Sequence, residues 1–143
     1  MMFVIPGMMV LLFAAAYDIR TKRIPVSAIT AAALLCVLTI VMSAAAGTES
    51  MLRLVLAGMP GALLLIIAFL SRESVGYGDG ILMLCLGPVF GLQRTLFGVA
   101  VAFFVTALTS AGLLAVKKAG RYTRIPFVPF LASAMGVAAI AYG

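Results

Sequence analysis

The sequence predicts an all-α integral membrane protein, a compact bundle of about six transmembrane helices with the N-terminus and C-terminus outside. Three observations predict it. Hydrophobic residues make up 65% of the chain and charged residues 10%, with a mean hydropathy of +1.27. One water-soluble core of this size cannot hide so much apolar surface. The apolar residues come in runs near the ~20 needed to cross roughly 30 Å of hydrocarbon at 1.5 Å rise per residue. The charged residues fall in or beside the short gaps between those runs. Gaps so short leave no room for a soluble domain, so residues 1–143 read as one transmembrane domain.

The first run, about 1–17, has the small-residue end "AAAY" of a signal peptide, but its basic residues Arg20, Lys22 and Arg23 follow the apolar stretch instead of preceding it. It reads as a retained first span. The second, 26–46, opens behind Pro25, a residue suited to the first turn of a helix. The third covers 52–70. The fourth, 80–92, is short and contains "GPVFG" at 87–91. That implies a tilted, broken or partly sunken helix, which a membrane tolerates only against protein or a wet cavity. The fifth covers 95–116, and the sixth, 126–142, again opens on proline, in "TRIPFVP". The Arg-Ile-Pro shared by the second and sixth runs is ordinary helix-start grammar.

Charge sets the orientation. The first, third and fifth gaps carry eight basic residues, and the second and fourth carry only Arg53 and Arg94. The positive-inside rule places the odd gaps in the cytoplasm. It also accounts for the net charge of +6 without nucleic acid, since the basic residues form no aromatic-interleaved patch. Some contact with anionic lipid headgroups is the lesser role left to them. Cys36 and Cys85 lie inside apolar runs, outside any C-x-x-C pair, and there is no histidine. Neither a disulfide nor a metal site is expected, and no cofactor is implied.

The carboxylates carry the chemistry. Span 1 runs inward and ends at Asp18; span 4 runs outward and begins at Asp79. Topology therefore brings the two to one membrane face. Each has a plain reading alone: Asp18 as a solvated helix end beside Arg20, Asp79 as an N-cap facing a helix dipole. Glu49 sits in an outer turn and Glu73 beside Arg72 in a polar gap. An N-cap, however, does not need glycine at both Gly76 and Gly78. Glycines there permit positive φ or the close approach of another backbone, as a peptide lying beside Asp79 would require. Two carboxylates a few ångströms apart share a proton, so one activates water as a base while the other acts as an acid. That is aspartic protease chemistry, and it needs no metal, histidine or cysteine.

At these residues the chain resembles the type IV prepilin peptidases, GxGD aspartic proteases of bacterial and archaeal membranes. "YDIRTKRIP" at 17–25 is similar to their first motif, "GYGDG" at 76–80 to their second, and "RIPFVPFLA" at 124–132 to the opening of their last helix. The resemblance implies Asp18 and Asp79 as the catalytic pair, with Gly76, Gly78 and Pro126 beside the substrate. The substrate it implies is the short basic leader of a pilin-like precursor, cut after a small residue at the cytoplasmic face of the membrane. Glu73 and the aspartates are the groups that would attract such a leader. Ile81 stands where many members have lysine, Val26 stands where asparagine is common, and the cysteine-bearing insertion of long, N-methylating members is missing. The chain looks like the short form that serves Flp or tight-adherence pili, a peptidase without methyltransferase activity. The presenilin and signal-peptide-peptidase group is similar in catalytic logic only. The rival reading is a small non-enzymatic carrier or assembly subunit that uses the aspartates as a proton relay or packing pair. Ionisable groups at one face, with none in mid-span, count against transport.

Overall fold

A computed structural model describes residues 2–70, 76–116 and 126–143. Within them the chain forms six helices and no strand: α1 Val4–Thr21, α2 Val26–Ala46, α3 Met51–Leu70, α4 Tyr77–Phe90, α5 Leu92–Ala115 and α6 Val128–Ala141. Four of them, α1, α2, α3 and α5, are long and apolar enough to cross a membrane. The α4 and α6 helices have 14 residues each, about 21 Å of rise. Large apolar side chains such as Leu34, Phe69 and Ile140 point outward, the last 85% exposed. That surface suits lipid, not water.

The α2 bounds coincide with the sequence expectation, because Pro25 and the positive-φ Gly47 cap its two ends. α1 instead runs past Asp18 to Thr21, so the aspartate lies in the last turn of the helix and not beyond it. Lys22 then takes a left-handed conformation (φ 52°), its amide bonding the Asp18 carbonyl at 2.7 Å. Thr21 Oγ1 donates to Tyr17 O at 2.9 Å, which closes the same turn. The "KRIP" stretch is thus a tight reversal between α1 and α2, ended by the fixed φ of Pro25.

The centre of the bundle is the short α4. It packs most extensively on α3, then on α2, and also meets α1 and α5. Glycine makes the α3–α4 crossing possible. A Cβ on Gly61 would fall on the Leu84 backbone, and one on Gly87 would fall on the Ala57 carbonyl. Small residues at a crossing let membrane helices approach backbone to backbone, where packing replaces the hydrophobic effect. Pro60 and Pro88 lie inside these two helices, where each removes a backbone donor.

Gly91 alone joins α4 to α5, at φ +84°, a conformation glycine adopts without strain. Thr95, fully buried on α5, donates its hydroxyl to Gly87 O at 3.2 Å, and the Gly91 amide donates to the same carbonyl at 2.9 Å. Thr95→Val keeps the shape and removes one bond. It should lower stability by about 1 kcal/mol, read as a lower thermal midpoint in detergent.

Arg94 Nη2 donates to Tyr142 O at 2.8 Å, and Phe97 meets the Tyr142 ring edge-on, which ties the end of α6 to the start of α5.

Candidate active site

Asp18 and Asp79 come from the last turn of α1 and the first turn of α4, and both are nearly buried, at 6% and 8% exposure. The turns that carry them pack on each other at one end of the bundle, where a Cβ on Gly78 of α4 would meet Ile24, just after α1, at 3.1 Å. The third element packed on α1 is α6.

The plain readings of the two aspartates do not describe these surroundings. Asp18 is not a solvated helix end paired with Arg20. Among the described residues the ion pair that forms is the exposed Arg53–Glu49 contact at 3.8 Å, which belongs to the α2–α3 turn. Asp79 is not the N-cap of α4. The cap is Gly76 (φ −65°, ψ 130°), and Asp79 is the third residue of the helix. Its carboxylate folds back towards the cap, so that a Cβ on Gly76 would sit 3.4 Å from Asp79 Oδ2.

Each glycine of "GYGDG" therefore has its own physical account. Neither Gly76 nor Gly78 has positive φ, so close approach is the reason for glycine at both. Gly76 is exposed, and its bare backbone lies beside the Asp79 carboxylate. At Gly78 the approach comes from within the chain: a Cβ there would meet the Ile24 side chain at 3.1 Å. Ile24 belongs to the reversal after α1, so the two aspartate-bearing motifs pack directly on each other through this contact. Gly80, next in line, admits the Leu65 side chain from α3, 2.7 Å from where a Cβ would be.

Pro126 is half-buried, two residues ahead of α6. Glu73 lies outside the described residues, as do the basic positions Arg72, Lys117, Lys118, Arg121 and Arg124. Ile81 stays 36% exposed on α4, two residues beyond Asp79.

No group of three or more metal-ligating side chains occurs among the described residues. An open apolar groove of about 380 Å³ lies away from the aspartates, between α2, α3 and α4, lined by residues such as Ile40, Leu54, Met59 and Pro88. With no polar group in its lining it offers contact to a lipid chain or another helix and no chemistry.

Sequence reasoning missed Ile24, which meets Gly78 through a contact between distant segments that no residue type signals.

The model of the type IV leader peptidase family matches residues 5–111, a stretch that contains both aspartates and ends before α6. No curated protein and no solved structure gives a significant match.

Proposed function

Because the chain belongs to the type IV leader peptidase family, we propose that it is a membrane aspartic endopeptidase with Asp18 and Asp79 as its catalytic pair. The observation that carries this reading is the presence of two nearly buried carboxylates on helix turns that are far apart in sequence and pack on each other through Ile24 and Gly78. Structural duty alone does not account for the pair, since neither aspartate is an N-cap of its own helix.

In the proposed reaction one aspartate takes a proton from water, whose oxygen attacks the scissile carbonyl carbon. The other gives its proton to the carbonyl oxygen, forming a tetrahedral diol. Collapse re-forms the carbonyl and breaks the C–N bond, and the departing amine takes the proton first removed from water. The dyad returns to its starting state. The substrate backbone would run past the exposed Gly76, where no side chain separates it from Asp79, and Pro126 is the further residue proposed to line its path. Gly78 contributes indirectly by seating Ile24.

Family membership implies a pilin-like precursor in general. The finer reading is the basic leader of an Flp or tight-adherence pilin, with Glu73 adding attraction. The six-span topology, with termini outside and the site at the cytoplasmic face, follows from the distribution of basic residues. The missing insertion supports a peptidase without methyltransferase activity.

The test is co-expression with each pilin-like protein of the source organism, reading leader removal by gel shift and the new N-terminus by mass spectrometry. Cleavage at the start of the apolar segment of one precursor, with an unmethylated terminus, is the expected result. Failure with every precursor, by a protein correctly inserted in the membrane, would overturn the peptidase and turn attention to the carrier reading.

A further inference from the structure

We infer that Ile24 is a positioning residue of the proposed aspartic dyad, the reading on which this inference rests. Its side chain is the spacer that fixes how closely the turn carrying Asp18 seats against the turn carrying Asp79.

The contact is one of shape. A Cβ on Gly78 would lie 3.1 Å from Ile24 Cδ1, 3.2 Å from its Cβ and 3.4 Å from its Cγ1. Gly78 immediately precedes Asp79, so the α4 backbone rests on Ile24 at the residue next to the carboxylate. Gly80, immediately after Asp79, admits Leu65 of α3. Residues two apart on a helix face nearly opposite ways. The first turn of α4 is therefore held between Ile24 and Leu65, and it cannot back away from one without pressing on the other.

Ile24 is held equally firmly from its own side. It follows the reversal that ends α1, where the Lys22 amide donates to the Asp18 carbonyl at 2.7 Å. The Thr21 hydroxyl sits 2.9 Å from the Tyr17 carbonyl and 3.2 Å from that of Arg23, the residue before Ile24. Pro25 then fixes the backbone at φ −68°, and its carbonyl accepts the Ala28 amide at 3.0 Å as α2 begins. The Ile24 side chain is β-branched, hence stiff at χ1, and it packs against the core. Any push on Ile24 is thus passed to the Asp18 turn through its backbone. Two carboxylates that share a proton and a water need their spacing held to about 0.5 Å, and this contact between their turns supplies that restraint.

The experiment is a size swap across the contact. Cleavage of the pilin precursor found by co-expression is measured as kcat and KM, beside the thermal midpoint in detergent. Gly78→Ala drives a methyl group into Ile24 and should lower kcat about ten- to a hundredfold, with KM near wild type. Ile24→Ala removes two of the three approaching atoms, Cδ1 and Cγ1, and should lower kcat about three- to tenfold by loosening the seat. In the double variant the new methyl group enters the vacated space. The remaining Cβ approach at 3.2 Å makes recovery partial, and kcat should exceed that of Gly78→Ala by about tenfold. Gly136→Ala is the control: its Cβ would meet Met8 of α1 at 3.1 Å, well along the helix from Asp18, and kcat should stay at the wild-type value.

A double variant no faster than Gly78→Ala would overturn the inference alone, because general damage to the fold accumulates and does not cancel. Wild-type kcat in Gly78→Ala, or an equal loss in Gly136→Ala, would overturn it too. Should Gly78→Ala fail to insert, Ile24→Val and Ile24→Ala decide the matter. Their kcat should fall stepwise at constant KM, and an unchanged kcat in Ile24→Ala would sink the spacer. An inactive wild type, or full cleavage by both Asp18→Asn and Asp79→Asn, would instead remove the dyad reading and the inference with it.

Discussion

Asp18→Asn should abolish leader removal, and Asp79→Asn should do the same, with each variant reaching wild-type levels in the membrane. The expected loss is about 10²- to 10⁴-fold or more, the range for removing a positioned acid or base. Asparagine is the informative replacement because it keeps the shape and an acceptor oxygen. At position 18 it fills the same nearly buried space, while proton transfer is lost. At position 79 it can still fold back over Gly76. Both changes also remove a nearly buried ionisable group, so neither should destabilise the bundle. Gel-shift rates beside membrane levels separate the two effects. Full cleavage by either variant would show that residue to be a structural carboxylate, and full cleavage by both would end the aspartic reading.

The second large effect belongs to the α3–α4 crossing. Gly61→Ala and Gly87→Ala each place a methyl group against backbone, the Leu84 main chain in one case and the Ala57 carbonyl in the other. Backbone cannot swing aside as a side chain can, so the helices must separate. Overpacking of this kind costs about 1–3 kcal/mol and more where the neighbour cannot yield. Separation would also displace α4, which carries Asp79, so cleavage should fall with stability. Gly112→Ala is the matched control. A Cβ there meets nothing within 4 Å, and alanine should raise stability by about 0.5–1 kcal/mol through helix propensity. Thermal unfolding in detergent and cleavage of a precursor check all three. Equal behaviour of Gly61→Ala and Gly112→Ala would mean that the crossing is looser than described.

Particular residues show what was legible in the sequence and what was not. Apolar run length locates all six helices, because the requirement to satisfy every backbone group within lipid acts through composition. The α2 bounds were readable because Pro25 and Gly47 are side-chain-specific stops. The end of α1 was not. Asp18, Arg20 and Thr21 are polar, yet a helix entering the interface continues through polar residues until a turn such as that at Lys22 stops it. Parity predicts Asp18 and Asp79 at one membrane face, and in the structure the last turn of α1 and the first turn of α4 come together through Ile24 and Gly78. The use of the glycines was only half legible. Close approach was expected of a substrate, but at Gly78 the approaching group is Ile24, a contact between distant segments with no local signature.

Helix length has a consequence for the surrounding lipid. α2, α3 and α5 have 20 to 24 residues, whereas α6, with its outward-facing Ile140, has only 14. The protein thus offers the bilayer two thicknesses, about 30 Å or more on one flank and about 21 Å on the other. Lipid must thin, or the bundle must tilt, along the flank where α6 lies, and each ångström of mismatch carries a modest energy. The thinned flank is the one beside Asp18. Bilayer thickness therefore bears most on the wall of the bundle where α6 packs on α1, the helix that carries Asp18, and acyl-chain length becomes a lever on the protein from outside the polypeptide.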